Sequence, residues 1–277
     1  MSDPAPAPPA PVPLTLAAPL TGPAGAPVLV LGNSLGTSAV VWERQAGALG
    51  ASFRLLRYEL PGHGGSPVPP GPYTIAGLSA GVLALLDELG IERAGYCGIS
   101  LGGMVGIWLA AHAPGRIAAL GLVCTSAYLP PAEGWHSRAD QVRTCGMGAV
   151  SAMVASRWFT PAYAAANPPV IELFLAGLEN TDPEGYARCC EAIAAMDLRP
   201  DLAAIRAPTL VIAGAEDPAT PPEHGAVIAS RIGGARLEVV PDASHLAAVC
   251  SPDVVTGALL AHLNGAVADG VTWRDGR

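Results

Sequence analysis

The stretch "GYCGISLGG" at residues 95–103 places one serine, Ser100, among glycines and between two apolar segments. Gly98, Gly102 and Gly103 leave almost no room for larger side chains beside the serine, which indicates a tight turn of the backbone. The pentapeptide "GISLG" matches G-x-S-x-G, in which the serine sits on a strained turn between a strand and a helix with its hydroxyl exposed. Chance matches are common, but the apolar run before it and the helix-forming "MVGIWLAAHA" after it favour the functional interpretation.

Apolar runs of strand length alternate with segments of helical period along most of the chain. Runs of this kind are typical of buried parallel strands, because helices cover both faces of such a sheet. The six predicted strands lie in residues 27–32, 53–60, 94–100, 117–125, 208–217 and 235–245. The pattern predicts an α/β fold, with a mostly parallel central sheet flanked by helices.

The strand signal disappears between residues 126 and 207, where every segment is helix-like and broken by Pro or Gly. We expect a helical insertion that covers the sheet as a lid and specificity element. The predicted organisation is a mobile Pro-rich leader over 1–12, a core formed by 13–125 and 208–264, a lid over 126–207, and a C-terminal tail over 265–277.

Composition excludes several classes of function. The 277 residues are 51% hydrophobic, which supplies a large core, and the net charge of −8 without a basic cluster argues against nucleic acid or anionic membranes as partners. All 15 positive residues are arginine, so Schiff-base lysines, lysine-held PLP and Walker-type phosphate loops are excluded. A small-molecule substrate is the partner we expect, and a homo-oligomer stays open.

Cysteine usage and the N-terminus favour the cytoplasm. The six cysteines contain no C-x-x-C pair, and the first residues have neither a positive n-region nor an apolar h-region. Residues 94–111 carry no charge over 18 positions, but three glycines and Ser100 interrupt them. We interpret this segment as a buried strand, turn and helix.

A nucleophilic serine needs a histidine held by an acid, and a G-x-S-x-G turn requires them in the order Ser, acid, His, each after a later strand. Asp217 follows the predicted strand "TLVIAG", and His245 follows "RLEVV". Glu216 is the serious rival for the acid, whereas Asp242 lies too close to His245 in sequence to orient its ring. Ser100, Asp217 and His245 are therefore the predicted catalytic residues.

The other histidines fit structural roles better. His112 and His262 fall on predicted helices, His63 in a turn-rich loop that could border the pocket, His136 in the lid, and His224 after a proline loop. No two histidines have metal-ligand spacing and no H-E-x-x-H occurs, so no metal site is expected.

An oxyanion hole is the remaining requirement of acyl transfer. The N–H of Leu101, the residue after the serine, would be one donor. The other should come from the loop "NSLGTS" (33–38) after the first long strand. Aligning Asn33 and Ser34 with the His-Gly pair usual at this point predicts the Leu35 N–H as the second donor.

With these residues in place, the chain resembles the α/β-hydrolases and, more narrowly, the 3-oxoadipate enol-lactonases, over about residues 27–263. The segment "LGNSLGTSAVVWERQ" is similar to that family's oxyanion loop, and residues 56–117 and 196–222 also resemble the family. Glu59 and Leu60 depart from the Asp and Arg expected there, and the Pro-rich leader is extra. Both departures lie away from Ser100, Asp217 and His245.

The resemblance implies hydrolysis of 3-oxoadipate enol-lactone to 3-oxoadipate, through an acyl-enzyme and without a cofactor, in bacterial degradation of protocatechuate or catechol. The substrate carboxylate then needs a cationic partner, and the candidates are Trp135 and Arg138 at the start of the lid. The alternative interpretation of these two residues is a tryptophan of the core and an arginine exposed to solvent. A carboxylesterase or other cofactor-free hydrolase of the same fold is the alternative. A catalytically silent ligand-binding protein is a further one.

Overall fold

The computed structural model describes residues 10–271 and 273–275. The strands are β1 (Thr15–Leu16), β2 (Val28–Gly32), β3 (Arg54–Glu59), β4 (Ile91–Ile99), β5 (Ile117–Val123), β6 (Thr209–Gly214), β7 (Arg236–Val240) and β8 (Arg274–Asp275). The α-helices are α1 (Glu43–Gly50), α2 (Ile75–Glu88), α3 (Leu101–His112), α4 (Ala132–Cys145), α5 (Ser151–Trp158), α6 (Pro161–Ala166), α7 (Pro168–Glu179), α8 (Pro183–Ala194), α9 (Pro222–Arg231), α10 (Ala247–Cys250) and α11 (Pro252–Ala268).

The six predicted strands are present as β2 to β7, all parallel, and the predicted fold class is confirmed. The strand order is β1-β3-β2-β4-β5-β6-β7, with β1 antiparallel to β3 at one edge. Strands β2, β5 and β6 are buried along their whole length, as unbroken apolar runs must be when helices cover both faces of the sheet.

The strand order creates a crevice at the carboxyl ends of β2 and β4, which lie side by side. Strand β2 continues through α1 to β3 on one side, whereas β4 continues through α3 to β5 on the other. The loops that follow the two strands therefore diverge, and such a switch point is where ligands bind in open α/β sheets.

A sharp turn joins β4 to α3 at this crevice. Ser100 is its only residue, with φ 52° and ψ −113°, a left-handed conformation that is rare outside glycine. A Cβ on Gly98 would overlap the backbone of Gly102, and one on Gly102 would lie 2.5 Å from the carbonyl carbon and oxygen of Gly32. The glycines of the quoted stretch are thus required by close approach of backbone to backbone. We call residues 98–102 the serine turn.

All regular elements between residues 126 and 207, a stretch described without gaps, are helical: α4 to α8 and two short 3₁₀ turns. This region is joined to the core through backbone hydrogen bonds, from Leu246 N–H to Trp158 O (3.1 Å) and from Asp182 N–H to Gly62 O (2.8 Å). Its role as a lid stays a prediction. None of the helices in the described ranges combines the length and the apolar character needed to cross a bilayer.

The two termini differ from the sequence expectation. Residues 1–9 of the predicted mobile leader lie outside the described residues, but Val12 is buried and its N–H donates to Gly77 O (2.9 Å), so the end of the leader packs on α2. The predicted tail from residue 265 is also wrong in part. Helix α11 continues to Ala268, and β8 pairs with β4 while the Trp273 ring lies 5.5 Å from that of Phe53. Packing of the partly buried Trp273 indole explains why this segment is held against the core.

We expect Gly102→Ala to lower the free energy of unfolding by about 1–3 kcal/mol or to prevent folding, because the new methyl group meets backbone that cannot rotate away. Urea unfolding followed by circular dichroism measures this effect. Gly47→Ala in α1 is the matched control, since no atom lies within 4 Å of its added Cβ. Equal stability of the two variants would contradict the close packing of the serine turn.

Candidate active site

The carboxyl edge of the sheet brings the three predicted catalytic residues together. Ser100 follows β4, Asp217 lies in the loop after β6, and His245 lies in the loop after β7. Ser100 and His245 line the same cavity at the crevice, whereas Asp217 is buried behind His245. The site is therefore assembled from three loops at one end of parallel strands, as the chain order predicts.

A hydrogen bond orients the His245 ring. Nδ1–H donates to Asp217 Oδ2 at 2.8 Å, with both side chains buried. This contact fixes the tautomer and leaves Nε2 as the nitrogen that can accept a proton at the cavity. An imidazole held in this way, in the same cavity as a serine, is the arrangement that acyl transfer requires.

The Asp217 carboxylate accepts hydrogen bonds on both oxygens. Oδ1 accepts the N–H groups of Ala219 (2.8 Å) and Thr220 (3.0 Å), and Oδ2 accepts the Thr220 hydroxyl (2.7 Å) besides His245. Burial alone would raise the pKa of Asp217, but the charge and hydrogen bond of His245 and the bonds from Thr220 outweigh it and lower the pKa to about 2. The carboxylate is thus ionised at neutral pH.

Thr220 is a functional residue that sequence reasoning missed. An aspartate that accepts N–H groups two and three residues further on forms a common local turn. The spacing of Asp217 and Thr220 in "DPAT" was the available signal.

The rival candidates lie elsewhere. Glu216 and Asp242 are exposed, and neither contributes to the lining of the Ser100 cavity in the described ranges. The competing histidines do not line it either: His63 and His262 are buried against backbone carbonyls, His112 and His136 are exposed, and His224 bonds the Ser126 hydroxyl. The expectation that His63 could border the pocket is therefore wrong.

The two predicted oxyanion donors flank the crevice. Leu35 lines the cavity, and Leu101 is the first residue of α3, where a backbone N–H has no acceptor within the helix. A hydrogen bond from Gly102 N–H to Asn33 O (3.0 Å) joins the two loops that carry these donors. Their role in stabilising negative charge stays a prediction.

Helices α4 and α5 supply the wall that faces the serine. The two candidates for substrate binding, Trp135 and Arg138, both line the cavity, and the guanidinium of Arg138 lies 4.5 Å from the Trp135 ring centroid. The indole N–H of Trp135 donates to Leu129 O (3.1 Å). The wall therefore combines an aromatic surface with a cation.

Arg157 is a second cation in this wall, and the sequence analysis missed it. It lines the cavity from the last turn of α5, and it is the only charged residue of the apolar segment 149–159, which was the available signal. Burial, and then the charge of Arg138, lowers the pKa of Arg157. Neither arginine forms an ion pair with a carboxylate of the described residues. The cavity is thus complementary to an anion.

The comparisons with known proteins agree with this geometry. Residues 27–143 and 177–249 match the family model described as alpha/beta hydrolase fold. The chain is 40% identical over 238 residues to 3-oxoadipate enol-lactonase 2 of Acinetobacter baylyi, covering 86% of this chain and 89% of the relative. The crystal structure of the enol-lactonase from Burkholderia xenovorans LB400 is similar at 42% identity and a TM-score of 0.88, over 91% of this chain and 96% of that one. A thermophilic esterase from Thermogutta terrifontis is similar at 29% identity and a TM-score of 0.85, over 91% and 93%.

Asp217→Asn should lower the free energy of unfolding at pH 7 by about 2 kcal/mol. This is the stabilisation that corresponds to a carboxyl pKa lowered on folding from 3.8 to about 2. A depressed pKa stabilises the fold above the pKa of the unfolded chain, and this stabilisation is lost as the pH falls through the folded value. The difference between wild type and variant should therefore shrink between about pH 4 and pH 2. Denaturant unfolding at several pH values measures it, and a difference that stays constant over this range would contradict the assignment.

Proposed function

Because the chain belongs to the alpha/beta hydrolase family, we propose that it hydrolyses 3-oxoadipate enol-lactone to 3-oxoadipate through Ser100, His245 and Asp217. At the coarser level, its enol-lactonase relatives make it a carboxylic-ester hydrolase. The observation that carries the proposal is that one cavity is lined by Ser100, His245 and two arginines that have no carboxylate partner among the described residues. A lactone that bears a free carboxylate fits such a cavity.

In the first half of the reaction, Ser100 Oγ attacks the ring carbonyl carbon while His245 Nε2 takes the hydroxyl proton. Negative charge develops on the carbonyl oxygen, where the Leu35 and Leu101 N–H groups would donate to it. Collapse of this intermediate breaks the ring C–O bond, and His245 returns its proton to the leaving enol oxygen. The enol tautomerises to the ketone, and the acyl group stays on Ser100.

In the second half, a water molecule attacks the acyl carbon while His245 accepts one of its protons. The ester bond to Ser100 breaks, the serine oxygen regains a proton from His245, and the second carboxylate of the product is released. Asp217 stabilises the imidazolium in both halves, because it is ionised and bonded to Nδ1. No cofactor takes part in this scheme.

The substrate carboxylate is proposed to bind against Arg138 and Arg157, with the ring of Trp135 beside it. Both guanidinium groups line the cavity, and burial disfavours the charge of Arg157 in the free protein. An incoming carboxylate would offset this cost by forming charge-assisted hydrogen bonds. The same contact would hold the lactone carbonyl in a constant position relative to Ser100.

The biological setting belongs to the same proposal. The similarity to 3-oxoadipate enol-lactonase 2 of Acinetobacter baylyi favours a role in bacterial degradation of aromatic compounds through the β-ketoadipate route. The six cysteines are free thiols, four of them buried, which favours the cytoplasm as the compartment.

The direct test is ring opening by the purified protein, followed as loss of enol-lactone absorbance. We expect Ser100→Ala to fold normally and to lose about 10⁶-fold in kcat, because no other nucleophile takes its place. Thermal unfolding of the variant serves as the control for its fold. Activity of Ser100→Ala close to that of the wild type would overturn the mechanism.

The second candidate function is hydrolysis of simple carboxylic esters, which the similarity to the thermophilic esterase favours. Aryl esters without a carboxylate decide between the two, since they gain nothing from the two arginines. Faster turnover of these esters than of the enol-lactone would replace the proposed substrate. Failure of a fluorophosphonate to label Ser100 would instead revive a purely ligand-binding protein.

Arg157→Gln should raise KM for the enol-lactone by about tenfold or more, because a hydrogen bond to a charged group is lost, and leave turnover of neutral aryl esters nearly unchanged. Steady-state kinetics with both substrates measure the contrast. Arg231→Gln, at an exposed position of α9, is the matched control. Equal effects on charged and neutral substrates would show that Arg157 does not bind the carboxylate.

A further inference from the structure

The loop that carries the proposed donor Leu35 is held from one side by a single neighbouring segment. We call residues 33–39 the oxyanion loop and residues 58–63 the anchor segment. Three groups of the loop donate hydrogen bonds to the segment: the Asn33 side-chain amide, the Gly36 N–H and the Ala39 N–H. The loop is thus fixed at its start, its middle and its end.

Glu59 holds both ends of the oxyanion loop. Its carboxylate accepts the Ala39 N–H on both oxygens (3.0 and 3.2 Å) and the Asn33 amide on Oε2 (3.1 Å). The Asn33 amide also donates to Tyr58 O (2.8 Å). Because both partners of this amide are pure acceptors, the nitrogen of Asn33 must face them. Glu59 is 6% exposed, so water competes little for these donors.

His63 holds the middle of the loop. Its Nε2 accepts the Gly36 N–H at 2.9 Å, while Nδ1–H donates to Pro61 O at 2.8 Å. The ring is fully buried and stacks on Tyr186 with 6.3 Å between ring centroids. Since Gly36 directly follows Leu35, this bond orients the backbone next to the proposed donor.

Asn33 also links the oxyanion loop to the serine turn, because its backbone carbonyl accepts the Gly102 N–H at 3.0 Å. One side of Asn33 therefore faces the anchor segment and the other faces the start of α3. The relative placement of the Leu35 and Leu101 N–H groups depends on this residue.

We propose that Glu59 and His63 are positioning residues that hold the Leu35 N–H at the site of the developing oxyanion. Neither lines the cavity in the described part of the chain, so they act through the loop and not on the substrate. The inference rests on the proposed acyl-transfer function. It also gives a role to Glu59, one of the departures from the family pattern, and to His63, a histidine that the catalytic scheme leaves unused.

The hydrogen bonds between the oxyanion loop and the anchor segment fix the protonation states of Glu59 and His63. In each of these bonds the loop supplies the donor and the anchor segment supplies the acceptor. His63 must be neutral, and burial lowers its pKa to about 4 despite the hydrogen bond to Pro61 and the charge of Asp182. Glu59 must be ionised, although burial raises its pKa against the bonds from Ala39 and Asn33 and the charge of Arg57. Protonation of His63 leaves the buried Gly36 N–H without its acceptor, and protonation of Glu59 removes one of the two oxygens that accept from Ala39 and Asn33.

The test compares variants that remove an acceptor with one that keeps it. His63→Leu keeps the approximate volume but loses the acceptor, whereas the Oε1 atom in His63→Gln can reach the position of Nε2. Glu59→Gln replaces one acceptor oxygen with a donor. Steady-state and burst kinetics with p-nitrophenyl acetate measure acylation of Ser100, and fluorophosphonate titration counts active sites. His112→Leu, at an exposed position of α3, is the control.

We expect His63→Leu and Glu59→Gln to lower the acylation rate per titrated site by about 10²-fold, as misplacement of a catalytic group does, with KM nearly unchanged. His63→Gln should stay close to the wild type, and thermal unfolding reports the folded state of each variant. If His63→Leu does not fold, Glu59→Gln and His63→Gln decide the question.

Two outcomes would overturn the inference in different ways. A wild-type protein that neither p-nitrophenyl acetate nor the fluorophosphonate modifies at Ser100 would remove the proposed function itself. A wild type that is acylated, with folded His63→Leu or Glu59→Gln equally fast, would leave that function intact and show that the anchors are only structural.

Discussion

The close approach of the serine turn to its neighbouring strands is the constraint on which the rest of the site depends. Ser100 is held at a positive φ, a conformation that costs on the order of 1–3 kcal/mol. Its N–H donates to Val123 O (2.9 Å), and its carbonyl accepts the Thr125 hydroxyl (2.6 Å), so β5 and the following loop hold it from one side. Glycines allow the contact with β2 on the other. Packing on both sides maintains the strained conformation of Ser100. This conformation places the serine hydroxyl and the N-terminus of α3 at the same crevice.

Two buried carboxylates stabilise this crevice by accepting hydrogen bonds from its loops, but their pKa values shift in opposite directions. Asp217 accepts four hydrogen bonds, one of them from His245, and the charge of His245 together with these bonds outweighs burial, so its pKa falls. Glu59 accepts backbone and amide N–H groups, but burial outweighs these bonds and the charge of Arg57, so its pKa rises. Each carboxylate is the acceptor for several donors of a loop, and these bonds hold the conformation of that loop. The loops are therefore fixed by charge-assisted bonds, although loops are usually the mobile part of a fold.

The helical region contributes to the site in two ways. Its side chains supply the cations Arg138 and Arg157 of the cavity wall. Its backbone also supports the histidine loop, because Arg157 O accepts the Ser244 hydroxyl (2.7 Å) and the His245 N–H (3.3 Å). One residue thus joins the wall that would bind the substrate to the loop that carries the proposed base. A shift of α5 would move both together.

The sequence alone located the serine turn, the six long strands and the positions of Asp217 and His245, because these follow from local patterns: glycines around a serine, apolar runs, and residues that end strands. It did not identify Thr220, Arg157, the His63 contact with Gly36 or the packing of Trp273. Each of these depends on the direction of a side chain or on the meeting of segments that only the folded chain brings together. Helical spacing cannot tell a solvated arginine from one in a cavity, and a histidine in a turn shows no acceptor until a distant N–H reaches it. Local chemistry therefore determined which residues could react, and tertiary packing decided which groups surround them and in which proton state they are held.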